Sequence, residues 1–141
     1  MNIIVRTASA ADLPWVIEAD RDFPHPWGSD AWRNLAPHMH LFVLEQEQQL
    51  IGYALFQHIS GDEQAHLLKI YLLPTTRHRG MSKILFDESR ASLAVKEVFL
   101  EVGESNVAAQ RFYEKMGFNR IHLAKAFYSD GENAWLMLLT R

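Results

Sequence analysis

The sequence predicts a mixed α/β fold: a mostly antiparallel sheet of about seven strands with one parallel pair and flanking helices. Short apolar or β-branched runs recur along the 141-residue chain, and four helical segments lie between them. The runs at 65–73 and 96–102 are separated by a helical segment, and such a unit implies parallel strands joined by a right-handed crossover. Other runs are joined by short polar turns, which is typical of antiparallel hairpins.

The first half of the chain is expected to contain strand 2–6, helix 12–22, helix 29–35, and strands 40–44 and 50–58. Asn2 to Arg6 is a β-branched run expected at a sheet edge. Ser9 and Asp12 have capping-box spacing, so they predict the start of the first helix. Two prolines and Gly28 end it. Ser29 can cap the second helix, and the polar residues 45–49 form the hairpin connection.

The second half is expected to contain strand 65–73, helix 83–94, strand 96–102, helix 106–116, and strands 118–127 and 133–140. Gly80 opens the first of these helices, whose apolar residues recur at helical spacing. Asn106 caps the second helix, and Gly117 ends it. The turn 129–131 separates the last two strands.

Composition restricts the class of protein. The length fits a single domain, 1–141, that buries a core without disulfides or a structural metal. The absence of cysteine excludes thiol nucleophiles and thiolate metal sites. The N-terminal apolar run is too short for a signal peptide, and no apolar stretch is long enough to span a membrane. These features favour a cytoplasmic location and no membrane partner.

The segment Arg77-His78-Arg79-Gly80-Met81-Ser82 lies between a strand and a helix and is a candidate phosphate site. Unpaired N–H groups at a helix start attract anions, and the two arginines add positive charge. A Walker A loop is absent, which argues against a nucleoside triphosphatase. The net charge of −3 argues against general nucleic-acid binding. A solvated basic helix start is the simpler alternative.

Together with strand 67–72 and Pro74, this segment resembles motif A of the GNAT acetyltransferase superfamily, whose pattern is Gln/Arg-x-x-Gly-x-Gly/Ala. Ser82 is the one departure from that pattern. Residues 100–106 and 112–118 are similar to motif B. The resemblance implies an acyl-CoA N-acyltransferase fold, a central parallel pair that splays apart, and acetyl-CoA as the acetyl donor. No metal or other cofactor is expected.

Glu101 and Tyr113 are the candidate catalytic residues. Glu101 interrupts an otherwise apolar strand, where a carboxylate is costly unless it is paired or used. We expect it to act as the general base and Tyr113, on the apolar face of helix 106–116, as the general acid. The resemblance places Tyr113 close to the thioester sulfur. A salt-bridged Glu101 and a core Tyr113 are the structural alternatives.

The resemblance also implies a set of donor-binding residues. The backbone groups of Ile70, Tyr71 and Leu72 should face the pantetheine arm, and the turn should hold the pyrophosphate. The full expected set is Ile70, Tyr71, Leu72, Arg77, His78, Arg79, Gly80, Met81, Ser82, Asn106 and Tyr113.

Within the superfamily, the chain is most similar to the ribosomal-protein alanine N-acetyltransferases. The likeness rests on segments 23–27, 100–106 and 128–134. It implies that the acceptor is a protein N-terminal α-amine, possibly that of a ribosomal protein, with Trp27, Glu101 and Tyr128 contacting it. The α-amine is easier to deprotonate than lysine, since its pKa is about 7.7–8 against about 10.4.

Departures from the family pattern at His25, Gly103 and Asn133 leave other acceptors open. These are a small-molecule amine and an internal lysine. A non-catalytic acyl-CoA-binding module and a nucleic-acid binder that uses the basic turn are the rival classes. His38 and His40 are close in sequence, but no further ligand at recognisable spacing accompanies them, so we expect no metal site. The sequence leaves the oligomeric state open between a monomer and a homodimer.

Overall fold

The computed structural model describes residues 2–23 and 25–140. The strands are β1 (Ile3–Thr7), β2 (Met39–Gln46), β3 (Gln49–Gln57), β4 (Gln64–Leu72), β5 (Glu97–Gly103), β6 (Asn119–Ala124) and β7 (Ala134–Leu139). The helices are α1 (Leu13–Asp20), α2 (Ser29–Arg33), α3 (Met81–Leu93) and α4 (Val107–Met116), with short 3₁₀ turns at Ala10–Asp12 and Pro74–Thr76. The predicted order of elements is confirmed. The largest difference is β6, which is shorter than the predicted strand 118–127.

The seven strands form one sheet in the order β1-β2-β3-β4-β5-β7-β6. Neighbouring described strands are antiparallel except for β4 and β5, as the sequence predicts. The parallel pairing covers only residues 64–66 against 97–99. Both strands continue beyond the last pair, His66 with Phe99, to Leu72 and Gly103. Their facing edges are therefore unpaired there, and the sheet opens in a V between β4 and β5.

Helices cover both faces of the sheet. On one face, Leu85 and Phe86 of α3 pack with sheet residues in a buried cluster, and Tyr113 and Met116 of α4 pack against that cluster. On the opposite face, Val16 of α1 and Trp32 of α2 pack on the central strands. The V thus lies between the α3–α4 layer and the α1–α2 layer.

Local chemistry at the chain start follows the sequence closely. The Ser9 N–H donates to Asp12 Oδ2 at 2.7 Å, so the capping box forms. Asp12 also accepts two hydrogen bonds from the Arg6 guanidinium, at 2.7 and 2.9 Å, which tie β1 to the start of α1.

In the β2–β3 hairpin, Glu47 and Gln48 both have positive φ, as a two-residue type I′ connection requires.

None of the helices in the described part of the chain combines the length and apolar character needed to cross a bilayer.

Candidate active site

A cleft of about 930 Å³ lies at the opening between β4 and β5. This volume is within the range of small-molecule sites, about 300–1,000 Å³. The predicted site residues that line it are Ile70, Tyr71, Leu72, Arg77, His78, Ser82, Glu101, Asn106, Tyr113 and Tyr128. Four predicted site residues, Trp27, Arg79, Gly80 and Met81, are not part of its lining. The structure therefore brings most of the predicted donor residues together with both candidate catalytic side chains.

The free edge of β4 supplies backbone donors to the cleft. The Leu73 N–H donates to the Ile51 oxygen of β3 at 2.8 Å. Because backbone groups alternate along a strand, Tyr71 also turns its backbone toward β3, while Ile70 and Leu72 turn theirs toward the opening. Of the three residues whose backbone was predicted to face the donor, Ile70 and Leu72 turn theirs toward the opening, and the prediction is wrong for the backbone of Tyr71. Tyr71 contributes its side chain to the lining instead.

The start of α3 forms the basic end of the cleft. Gly80 caps the 13-residue helix with φ of 78°, a left-handed conformation that glycine adopts without strain. The first N–H groups of a helix have no intrahelical partner, so they are available to an anion. Ser82 and Lys83 line the cleft beside them, whereas the Met81 side chain is buried in the core. These groups fit the pyrophosphate of a nucleotide-containing ligand.

Arg77 is held against the wall of this basic end. Its Nε donates to the Leu72 oxygen at 2.9 Å, and its guanidinium lies 5.6 Å from the centre of the Tyr71 ring. The Tyr71 hydroxyl in turn donates to Asp22 Oδ2 at 2.6 Å. Burial, and then this carboxylate, raise the pKa of Tyr71 to about 12. The side-chain contacts from Asp22 through Tyr71 to Arg77 connect the end of α1 to the basic end of the cleft.

Glu101 lies on the α1–α2 side of the V, two residues after the last parallel pair. Its side chain is about one-fifth exposed, and Oε1 lies 2.6 Å from His66 Nε2. No described residue hydrogen-bonds to the other carboxylate oxygen, and Glu101 lines the cleft. One oxygen of the carboxylate therefore contacts His66, and the other has no hydrogen-bond partner among the described residues.

Tyr113 projects from α4 into the same cleft. Its ring packs edge-on against Phe118 and Phe112, with ring centres 5.7 and 5.3 Å away. Among the described residues, none hydrogen-bonds to its hydroxyl. Burial raises the pKa of Tyr113 to about 12, with a smaller contribution from Tyr128. The hydroxyl therefore stays protonated throughout the ordinary range of pH.

Tyr128 lines the cleft from the connection between β6 and β7. Burial raises its pKa, and the negative charges of Glu101, Glu132 and Asp130 raise it further. Glu101 thus helps to raise the pKa of Tyr128, and Tyr128 in turn helps to raise the pKa of Tyr113. The three side chains line one cleft, as the sequence predicts for a site that joins donor and acceptor.

The departures at Gly103 and Asn133 have partners in the structure. A Cβ at position 103 would lie 2.7 Å from Glu132 Oε1, so a larger residue there would displace that carboxylate. Glu132 Oε1 accepts from the Ser105 hydroxyl at 2.5 Å, and Asn133 Nδ2 donates to Glu104 Oε1 at 3.0 Å. These contacts tie the start of β7 to the end of β5. The predicted helix cap is also present, since Asn106 Oδ1 accepts from the Ala109 N–H.

Sequence reasoning missed a buried polar cluster beneath the α1–α2 layer. Asp20 is fully buried and accepts hydrogen bonds from Lys69 Nζ at 2.7 Å, Tyr53 Oη at 2.9 Å, Trp32 Nε1 at 3.1 Å and the Trp27 N–H at 2.7 Å. Burial acts to raise the pKa of Asp20, but these four donors outweigh it and lower it. The signal was present: Lys69 interrupts an apolar strand, as Glu101 does.

This cluster determines where the predicted acceptor segment lies. Trp27 is anchored through its backbone to Asp20, and its ring packs on Trp32 with centres 5.0 Å apart. Phe23, rather than Trp27, lines the cleft. Pro24 of the same predicted segment lies outside the described residues.

No group of three or more histidine, aspartate or glutamate side chains in the described residues is arranged to hold a metal ion. His40, one of the closely spaced histidines, has its Nε2 3.2 Å from the His58 carbonyl oxygen.

The V-shaped opening and the helix start beside it match the splayed strand pair and the helix start that the sequence resemblance implies for an acyl-CoA N-acyltransferase. The sequence model of the Acetyltransferase (GNAT) family matches residues 7–118, and the chain belongs to this family. It is an N-acetyltransferase that uses acetyl-CoA as its donor.

Relatives extend this result along the chain. An N-alpha-acetyltransferase of Saccharolobus solfataricus is 35% identical over 96% of this chain and 92% of its own length. A [Ribosomal protein bS18]-alanine N-acetyltransferase of Haemophilus influenzae is 35% identical over 79% of this chain and 80% of its own. The crystal structure of the ribosomal-protein-S18-alanine N-acetyltransferase from Escherichia coli superposes with a TM-score of 0.82 at 26% identity, over 99% of this chain and 94% of that one.

Proposed function

We propose that this protein acetylates the N-terminal α-amine of a protein, with a ribosomal protein as the leading candidate. The observation that carries the proposal is that Glu101 and Tyr113 line one cleft, and that one Glu101 carboxylate oxygen and the Tyr113 hydroxyl have no hydrogen-bond partner among the described residues. Two relatives that are 35% identical, an N-alpha-acetyltransferase and a [Ribosomal protein bS18]-alanine N-acetyltransferase, support an α-amine as the acceptor.

In this proposal, the donor lies along the free edge of β4. The Ile70 and Leu72 amides bind and polarise the acyl and pantetheine carbonyls, and preorganised N–H donors of this kind stabilise negative charge that develops on oxygen. The turn before α3 and the first turn of that helix hold the pyrophosphate. Gly80, Met81 and Ser82 contribute backbone groups, and Arg77, His78 and Arg79 precede them in the turn. Asn106 contacts the donor from the start of α4.

Acetyl-CoA supplies the acetyl group as a thioester. Glu101 takes a proton from the acceptor amine, whose nitrogen forms a bond to the carbonyl carbon while the carbon–sulfur bond breaks. Tyr113 donates its hydroxyl proton toward the departing sulfur, which leaves as the thiol. Each turnover thus converts one amine and one thioester into one amide and one thiol. Tyr128, Trp27 and Glu101 form the acceptor side, with Trp27 acting through the position of the loop that it anchors.

We also treat residues 1–141 as one catalytic domain in this proposal. The support is that a single sheet carries both core layers, and that both edges of the cleft come from its central strands.

Thiol release from acetyl-CoA with matched acceptors tests the acceptor class. We expect turnover with a peptide that begins with alanine, and none with the same peptide blocked at its N-terminus. Turnover confined to a polyamine or to an internal lysine would contradict the proposed acceptor. Binding of CoA without thiol release for any acceptor would instead support a non-catalytic module.

The role of Glu101 is tested by Glu101→Gln. At low pH the acceptor amine is protonated and needs a base, whereas at high pH a growing fraction is already free. The fold-loss in turnover should therefore be largest at low pH, and the affinity for CoA should be nearly unchanged. Equal loss at every pH, or no loss, would remove Glu101 from the role of base.

A further inference from the structure

His66 lies at the vertex of the V, immediately before the strands separate. Its partner in the last parallel pair is Phe99, and the two rings stack with centres 4.5 Å apart at 14°. The side chain is about one-fifth exposed. Both the backbone pairing and the ring contact therefore restrict the orientation of the imidazole.

That orientation directs Nε2 at Glu101 Oε1, 2.6 Å away. The contact joins the last paired residue of β4 to a residue of β5 that lies two positions beyond the pairing. It also occupies one carboxylate oxygen and leaves the other available to the cleft. The charge of Glu101 also acts on Tyr128, in the connection before β7, and helps to raise the pKa of that tyrosine after burial.

We propose that His66 is a positioning residue for the reaction: its Nε2–H donates to Glu101 Oε1 and holds Oε2 toward the incoming amine. This rests on the proposed role of Glu101 as the base. A carboxylate on a flexible side chain rotates, and a single fixed donor removes that freedom before the proton is transferred. The arrangement corresponds to a base oriented by a third group, as in other catalytic sites.

The geometry also gives a physical reason for a histidine in β4, a strand of mostly apolar side chains. Phe99 supplies a flat surface for the ring, and Glu101, two residues further along the same face of β5, supplies the acceptor. A structural ion pair alone would not need the stacked ring, and it would leave no reason for the carboxylate to line the cleft.

Three variants test this with saturating acetyl-CoA and an alanine-starting peptide: His66→Phe, His66→Gln and Glu101→Gln. His66→Phe keeps a flat ring for Phe99 but removes the donor. Since hydrogen bonds to charged groups are among the stronger ones, kcat should fall about 10-fold or more, with both KM values within about twofold of wild type. His66→Gln keeps an N–H donor at similar reach and should recover most of that kcat.

A double-variant cycle separates positioning from general structural damage. In the Glu101→Gln background, His66→Phe should cause little further loss, because the group that it positions is already gone. A kcat for His66→Phe within about twofold of wild type would overturn the role of His66. So would the same fold-loss in both backgrounds. If Glu101→Gln alone retains wild-type kcat, it is the assignment of the base that fails.

Discussion

Replacing Tyr113 by phenylalanine isolates one hydroxyl. The ring contacts with Phe112 and Phe118 remain, and no described residue hydrogen-bonds to the hydroxyl, so the free energy of unfolding should change by no more than about 0.5 kcal/mol. The pKa of about 12 makes Tyr113 a protonated but weak acid. As the proposed general acid, its hydroxyl should hydrogen-bond to the departing sulfur while it transfers its proton.

The size of the effect follows from that role. A hydrogen bond to a charged group is worth about 1.5–3 kcal/mol, which corresponds to a loss of about 10–100-fold in kcat. The assay is thiol release at saturating acetyl-CoA and peptide, with thermal unfolding measured on the same preparation. An unchanged kcat would refute the reasoning. So would unfolding of the variant, since Tyr113 would then be a core residue whose hydroxyl the structure needs.

The remaining predictions concern the frame around the site. Lys69→Met leaves the buried Asp20 carboxylate without its cation, and should lower the free energy of unfolding by about 3 kcal/mol in thermal or denaturant unfolding. The hydrogen bond from Arg6 is the main cause that lowers the pKa of Asp12 to about 2. The ionised Asp12 therefore adds about 1–2 kcal/mol to the free energy of unfolding above pH 4, and this is lost as the pH falls toward 2. Arg6→Gln should flatten that part of the plot of stability against pH. Gly52→Ala would place a Cβ 2.7 Å from a backbone oxygen of β4, and should cost about 1–3 kcal/mol with a loss of CoA affinity.

Two of these have a matched control in the chain. Lys83→Met removes a cation whose pair with Asp87 is exposed, so it should change stability by less than about 0.5 kcal/mol. Gly28→Ala adds a Cβ where nothing lies within 4 Å, and should be tolerated. If Lys69→Met matched Lys83→Met, the buried pair would contribute nothing. An acid profile identical in wild type and Arg6→Gln, or a silent Gly52→Ala, would contradict the other two predictions.

The fold was accessible from sequence because its local signals agree with its topology. The capping box at Ser9 and Asp12, the polar hairpin before β3 and the strand–helix–strand unit around Gly80 each correspond to an observed element. The boundaries were less accessible, since helix and strand ends depend on tertiary contacts. The splaying of the β4–β5 pair was implied only by the resemblance to a family, because nothing local in either strand specifies where the pairing ends. The full order of strands in the sheet was not predicted.

The candidate site divides in the same way. Glu101 and Tyr113 could be singled out from sequence because a carboxylate in an apolar strand and a motif tyrosine are visible locally. Lys69 carries the same signal as Glu101, but its partner Asp20 is 49 residues away, and only the fold brings them together. His66 is likewise meaningful only beside Glu101. The alternation that separates the Ile70 and Leu72 amides from that of Tyr71 depends on the register with β3.

The most direct test of the account is where the acetyl group goes. A peptide that begins with alanine and contains one internal lysine would be incubated with the enzyme and acetyl-CoA, and its fragment masses and the released thiol would be measured together. The account predicts one acetyl group per thiol released, carried on the first residue and not on the lysine. Acetylation of the lysine alone, or thiol release with no acetylated peptide, would contradict it.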